Sequence, residues 1–185
     1  MTHCFSKPGK ENTAETLNIA KEEALRRGIG FVLVASTSGE TGVKAARIFN
    51  GTDIRLIIVT HNTGFKEPGI QELKEEIRKE IAGLGGTVHT GTMVLRGLGA
   101  AIRDRNAYCQ EQLVADTLRM FGQGVKVCVE VVAMASDSGL IPPDDVIAVG
   151  GTRTGADTAA VLKANSSNHF FEIKIKEILA KPANF

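Results

Sequence analysis

Two apolar runs, Phe31-Val-Leu-Val-Ala35 and Ile54-Arg-Leu-Ile-Ile-Val-Thr60, constrain this chain more than any other feature. Neither shows the strict apolar/polar alternation of a strand with one wet face. Short runs of this kind, bounded by turn residues, read as strands buried on both faces. Such strands belong to parallel sheets covered by helices. Between the runs, Ser36-Thr-Ser-Gly-Glu-Thr-Gly42 forms a turn and Val43 to Phe49 a short helix closed by Asn50-Gly51. Two buried strands joined through a helix make a β-α-β unit, whose crossover is right-handed in nearly all folds.

The flanking sequence extends the same α/β pattern. Asn12 with Glu15 fits an N-cap and its N3 carboxylate. A helix is predicted from there to about Arg27, with Leu17, Ala20, Ala24 and Leu25 on one face. Glu22–Arg26 and Glu23–Arg27 are i,i+4 pairs, and Gly28 stops the helix. After the loop His61-Asn-Thr-Gly-Phe-Lys66, Pro68 suits the first helical position. Ile70, Leu73, Ile77 and Ile81 then step by three and four. Thr87 to Val94 alternates and is β-branched, which predicts a third strand near a sheet edge. Helical character runs from about Leu98 to Phe121, broken once. Val125–Ser138 is ambiguous: β-branched density favours strand, while length and Gly139 as a terminator favour helix. Asp145-Val-Ile-Ala-Val149 is a short buried strand. Thr158 to Ala164 and Phe170 to Ile178 read as two strands joined by Asn165-Ser-Ser-Asn168.

Composition bounds the function. A length of 185 residues fits a single domain, 1–185, with a real core. Lys+Arg total 22 against 21 Asp+Glu, a net charge of +1. Nucleic-acid binders hold phosphate backbones with clustered surplus charge, so nucleic acid is not an expected partner. Aromatics are 5% of residues, with no Trp and one Tyr, too few for a base-stacking platform. Glycine, at 20 residues, exceeds the ~7% norm and fits an aliphatic core with glycine-rich loops at strand ends. Cys4, Cys109 and Cys128 are odd in number and widely spaced, as expected in a reducing cytoplasm. No His/Cys cluster has metal-ligand spacing, and no apolar run reaches the ~18 residues of a membrane span. The balance is compatible with an oligomer of identical chains.

Three loops follow predicted strands. In Ser36-Thr37-Ser38-Gly39-Glu40-Thr41, hydroxyls and a glycine converge on a helix N-terminus, where unpaired N–H groups and the dipole attract anions. Alternatively, Ser38 or Thr41 simply caps the helix. Glu40 places a carboxylate beside the same end. Gly150 to Asp157 offers Gly151, Thr152, Arg153, Thr154, Gly155, Ala156 and Asp157 to a ligand; equally, it is a turn whose glycines serve positive φ. Thr60 and His61 leave the sheet where open α/β folds bind ligands, although a lone His at a strand end is more often structural than catalytic. No dinucleotide fingerprint, phosphate-loop lysine, nucleophile elbow or Ser/His/Asp spacing is present. The sequence does not decide whether the chain is an enzyme.

Phe31-Val-Leu-Val-Ala-Ser-Thr-Ser-Gly-Glu-Thr-Gly-Val-Lys-Ala-Ala-Arg with Ile-Arg-Leu-Ile-Ile-Val-Thr60 resembles the C-terminal domain of pyruvate kinase, with its strand, Ser-Gly-x-Thr turn, helix and second strand. Gly139-Leu-Ile-Pro-Pro-Asp-Asp-Val-Ile-Ala-Val-Gly-Gly-Thr152 looks like that domain's later helix end, turn and strand. With Lys7–Thr13, Thr60–Phe65, Gly151–Thr158 and Glu177–Pro182, the chain looks closer still to stand-alone, mostly archaeal relatives of that domain. The resemblance implies a three-layer α/β/α fold, with a mixed sheet ordered 3-2-1-4-5 and its last strand antiparallel. It also implies a helix over Val127–Ser138.

In that order the turns after strands 1 and 4 would meet at the switch point. In many pyruvate kinases the Ser-Gly-x-Thr turn holds a phosphate of the sugar-bisphosphate activator, and the stand-alone group is associated with flavin mononucleotide (FMN). The resemblance therefore implies a phosphorylated small molecule, FMN first, held by Ser36, Thr37, Ser38, Gly39 and Thr41. Thr60, His61 and Gly151–Asp157 would line the rest. Glu40 stands where the kinase turn usually has a basic residue. These residues hold no counterpart of the kinase's catalytic barrel, and no phosphoenolpyruvate chemistry is expected of them. The turn also matches the Ser-x-Ser-Gly-Glu-Thr of phosphosugar isomerase domains, which makes a sugar-phosphate isomerase or sensor the alternative.

Overall fold

A computed structural model describes residues 1–185. Seven strands form one mixed sheet: β1 (His3–Phe5), β2 (Phe31–Ala35), β3 (Arg55–Val59), β4 (Thr87–His89), β5 (Asp145–Gly150), β6 (Thr158–Lys163) and β7 (Lys174–Pro182). Their spatial order is β1-β7-β6-β5-β2-β3-β4. The two apolar runs become β2 and β3, paired in parallel with Ala35 opposite Val59. β5 lies parallel on the other side of β2, and β6 runs antiparallel to β5. The stretch β4-β3-β2-β5-β6 thus reproduces the expected 3-2-1-4-5 order with its antiparallel last strand. The sheet extends beyond it through β7 and then β1, which pairs in parallel with β7.

Side chains alternate between two apolar layers, as the two-residue strand period requires. Val32, Val34, Ile58, Ile147 and Val149 pack with α1 (Thr13–Arg27), α2 (Glu40–Phe49) and α3 (Glu75–Gly83). Leu33, Ile57, Val59, Val146 and Ala148 pack with α6 (Gln123–Asp137) on the other face. The ambiguous segment is thus a helix. It is β-branched because it is buried nearly all round, with the sheet on one side and α5 (Gln110–Arg119) across the other. The helical stretch before it breaks into α4 (Gly97–Arg103) and α5.

Several boundaries differ from the sequence expectation. Helix α3 begins at Glu75, not near Pro68. Gly69 has φ 77°, and the Gly64 amide donates to the Ile70 carbonyl, which folds residues 64–70 into a closed loop. Ile70 is therefore exposed, while Leu73 is still buried. Helix α1 lacks the expected cap: the Asn12 amide group donates to the Lys7 carbonyl, and a 3-10 turn at Lys10–Asn12 leads into the helix. Glu23 pairs with both Arg26 and Arg27, and Leu25 is exposed. Helix α2 starts a turn earlier than expected, at Glu40. The third strand ends at His89, and β7 starts only at Lys174, after a 3-10 turn at Ser167–Glu172. All three cysteines are free. No helix is long and apolar enough to cross a membrane.

Candidate functional site at the carboxyl edge of the central strands

Register aligns the carboxyl ends of four parallel strands. Val34 lies opposite Val149, Ala35 opposite Val59, and Val59 opposite His89. The turn after β2 therefore leaves the sheet between the β5–β6 loop and the peptide Thr60-His61. From β2 the chain adds β3 and β4 on one side and then β5 on the other, so the direction of strand addition reverses between β2 and β5, the switch point where open α/β sheets bind ligands.

The turn is built from the inside. The Ser36 amide donates to the Val59 carbonyl at 2.9 Å, continuing the β2–β3 ladder. The buried Ser36 hydroxyl accepts from the Gly42 amide at 3.0 Å, the contact an N-cap side chain makes with N3. The actual N-cap is Gly39, at φ 94°. A Cβ there would lie 2.3 Å from Ile77 Cγ2 and 2.9 Å from Leu73 Cδ1. The room left by its missing side chain is filled by Ile77 of α3 and by Leu73 just before that helix.

With Gly42 paired to Ser36 and Val43 to the Gly39 carbonyl, the N–H groups of Thr37 through Thr41 donate to no protein acceptor. Thr41 is only 7% exposed, yet its hydroxyl has no protein partner. Ser38 is exposed and equally unpartnered. Glu40 swings along the helix to Lys44, 3.2 Å away, so its carboxylate is engaged outside the turn.

Thr60 and His61 divide the work at the end of β3. The buried Thr60 hydroxyl donates to the His61 carbonyl and lies 2.7 Å from the Thr90 hydroxyl, which accepts from Arg78 Nη2 at 3.0 Å. Thr60 thus fixes the peptide that carries His61. The imidazole faces outward: Nδ1 is 3.1 Å from Glu72 Oε2, and Nε2 is 3.3 Å from Thr37 Oγ1. A carboxylate can only accept, so Nδ1 carries the proton toward Glu72. In the neutral ring Nε2 then accepts from the Thr37 hydroxyl. Burial opposes the Glu72 charge, but hydrogen bonds from Lys66 and His61 hold its carboxyl below the usual range. Phe65 stacks on His61 with centroids 3.8 Å apart, and the Arg96 guanidinium lies 4.5 Å from the Phe65 centroid. Arg96 has no carboxylate partner.

The β5–β6 loop is held more tightly. Asp157 is completely buried; its carboxylate accepts from the amides of Gly9 and Thr152, both at 3.1 Å, and from the Thr158 hydroxyl at 2.9 Å. The Ala156 amide donates to the Thr13 hydroxyl. A Cβ on Gly155 would lie 2.4 Å from Lys10 Cα, and one on Gly151 would lie 2.3 Å from the Gly155 carbonyl. Arg153 and Thr154 are exposed at the tip, with Arg153 at φ 64°. The Thr152 hydroxyl is sealed from solvent and without a partner. Turn and loop therefore leave neighbouring strand ends, but no hydrogen bond joins them. The direct contact at this edge is between Thr37 and His61.

Glu72, Lys66, Phe65, Arg96, Arg78 and Thr90 complete the site. Glu72 escapes a helical-wheel reading because residues 67–74 are loop rather than helix; the Gly64, Pro68 and Gly69 cluster is the signal for that. A surface cavity of about 620 Å³ lies at the opposite sheet edge beside Gly28, Gly30, Asp144 and Lys163. Lys176 and Asp145, which border it, pair with each other at 2.7 Å. Unpaired donors converge instead at the carboxyl edge.

Two crystal structures of pyruvate kinase from Cryptosporidium parvum are similar to this chain. One covers 83% of it at 14% identity with a TM-score of 0.45, the other 86% at 14% identity with a TM-score of 0.43. The chain spans 23% of the length of each enzyme. The family model for the pyruvate kinase alpha/beta domain matches residues 14–163, which takes in every strand from β2 to β6 and both loops of the switch point. The chain accordingly belongs to the pyruvate kinase alpha/beta domain family.

Proposed function

We propose that this chain binds a phosphorylated small molecule at the turn between β2 and α2. One observation carries this: the consecutive N–H groups of Thr37–Thr41, at the N-terminus of a 10-residue helix, have no protein acceptor. Such donors attract phosphoryl oxygens without a basic side chain. Thr41 and Ser38 add unpaired hydroxyls, and Lys44 engages Glu40 away from the turn. Local donors of this kind suit a chain whose net charge is only +1.

Flavin mononucleotide is the ligand to test first, following the resemblance to stand-alone relatives of the pyruvate kinase C-terminal domain. The residues fit it at both ends. The turn takes the phosphate, while His61, on the peptide fixed by Thr60, and the exposed tip of the Gly151–Asp157 loop, Arg153 and Thr154, border the space beyond. Arg96, seated over the Phe65 ring and without a carboxylate partner, supplies a cation there. FMN would bring redox chemistry of its own; the chain would bind and orient it. The same reading places the protein in the cytoplasm, among mostly archaeal relatives, with no nucleic-acid partner and no membrane association.

The test is thermal stabilisation by FMN, riboflavin, sugar phosphates and orthophosphate, following RT ln(1 + [L]/Kd). Stabilisation by FMN but not riboflavin, lost in Ser38→Ala/Thr41→Ala, supports the assignment. A response to sugar phosphates alone favours the alternative of a sugar-phosphate isomerase or sensor. No response to any phosphorylated compound overturns both.

A further inference from the structure

Thr37, His61 and Glu72 stand in the order of a nucleophile, a base and a group that orients the base. Thr37 Oγ1 is 3.3 Å from His61 Nε2, and His61 Nδ1 is 3.1 Å from Glu72 Oε2. The acceptor-only carboxylate fixes the tautomer in which Nε2 has a free lone pair aimed at the Thr37 hydroxyl. The orienting group is itself held, since Lys66 takes the other Glu72 oxygen at 2.5 Å. Glu72 is 12% exposed and His61 30%, so the carboxylate is tucked in while the ring edge reaches the site. Phe65 covers a face of the imidazole and restricts its swing.

Thr37 sits between a buried strand and a helix, within Ala35-Ser36-Thr37-Ser38-Gly39. That has the spacing of the nucleophile turn in hydrolases built on parallel sheets, with alanine at the first glycine position. It differs in one respect: the left-handed conformation falls on Gly39, and Thr37 keeps negative φ. The N–H groups of Ser38 and Gly39, immediately after Thr37, donate to no protein acceptor. Together with the unpartnered, nine-tenths buried Thr41, they supply donors where an oxyanion would form.

We infer that Thr37, His61 and Glu72 hydrolyse small carboxylic esters. The Thr37 oxygen bonds to the acyl carbon as its proton passes to His61 Nε2, and negative charge gathers on the carbonyl oxygen beside the Ser38 and Gly39 amides. Collapse breaks the bond to the leaving oxygen, which takes the proton from His61 and departs as an alcohol. Water then attacks the acyl-threonine, giving one proton to His61. That proton returns to the Thr37 oxygen as the carboxylic acid leaves. Thr37 and His61 are catalytic residues in this scheme, and Glu72 is a positioning residue.

The test uses the full chain and p-nitrophenyl acetate, following nitrophenol release and locating the acetyl group by peptide mass spectrometry. The expected result is acetyl on Thr37, lost in Thr37→Val and retained in Thr37→Ser. His61→Gln slows acetylation by about 100-fold or more. Glu72→Gln slows it less and moves the acid limb of the rate profile to lower pH, which a merely structural role would not do. Circular dichroism and melting temperature confirm that each variant folds. Acetyl confined to lysines or to His61, or Thr37→Val and His61→Gln reacting at the wild-type rate, overturns the inference. The ester assay needs no phosphate ligand, so it stands or falls separately from the phosphate-binding proposal. If both hold, orthophosphate slows acetylation by occupying the shared amides.

Discussion

The Ser36 hydroxyl accepts the Gly42 amide at 3.0 Å, across a turn whose own N-cap has no side chain. A residue outside the helix thereby performs the capping that Gly39 cannot, and leaves the intervening amides unpaired. Ser36→Ala strands the buried Gly42 amide. We expect a loss of about 1–2 kcal/mol, read as a lower urea midpoint at unchanged m-value.

Gly39 and Gly28 separate two costs that positive φ usually confounds. Both are left-handed, at 94° and 67°, but a Cβ at position 28 meets nothing within 4 Å, whereas one at 39 overlaps Ile77 and Leu73. Gly28→Ala is expected to cost about 1 kcal/mol from backbone strain alone. Gly39→Ala should cost several times more through overpacking, with a matching drop in melting temperature. Equal losses at the two positions would refute the packing role assigned to Gly39.

Asp157 tests whether the β5–β6 loop is braced from within. Its carboxylate holds three donors and is wholly buried. Asp157→Ala leaves those donors without an acceptor, at about 1–3 kcal/mol for each left dry. Hydrogen exchange should show faster exchange of the Thr152 and Gly9 amides, 148 residues from Asp157 in the latter case.

The pair Lys126 and Glu130 is buried on α6, and Glu130 also accepts the Leu95 amide at 2.9 Å. Burial pushes the Lys126 ammonium below its usual range, Glu130 opposes that, and the charges of Arg119 and Arg96 add to it. Lys126→Met leaves a buried carboxylate with one amide donor and is expected to cost about 3–5 kcal/mol. Adding Glu130→Gln removes the charge while keeping an acceptor for Leu95, and should recover most of the loss in chemical denaturation.

Glu23 gives the acid dependence a named contributor. Hydrogen bonds from Arg26, then Arg27, hold its carboxyl at about 2 against an ordinary 4.5. The unfolded chain therefore binds a proton that the folded one does not. The stabilisation is complete above about pH 4.5 and lost as pH falls toward 2. Solvent screening at the surface limits it to below about 1 kcal/mol. Glu23→Gln should narrow the stability difference between pH 6 and pH 2, measured by thermal unfolding.

Much of the fold was legible because burial on both faces writes itself into composition. Phe31–Ala35 and Arg55–Val59 have little choice but a covered parallel sheet. Val127–Ser138 was not legible locally: a helix buried nearly all round has no polar face to announce its period, so only the resemblance resolved it. β1 escaped because three residues paired to a distant edge carry no pattern of their own. At the site, Ser36, Thr37 and His61 stand out as strand-end polar residues. Glu72 and Arg96 do not, since they reach the site through loop closure, Glu72 within a segment whose spacing imitates a helix.

The attachment of the first residues to the last has a consequence for the order of events in folding. The amide of Gly9 completes the shell of Asp157, and His3 pairs with Ala180. The first contact cannot form until the chain has passed Asp157, nor the second until it has passed Ala180, and each closes a loop that takes in most of the molecule. Contacts of such sequence separation are entropically slow to gain. The β5–β6 side of the binding edge should accordingly be the last part of the sheet to lock and the first to open. The β2–α2 turn, closed by partners six residues apart, matures early and waits for it.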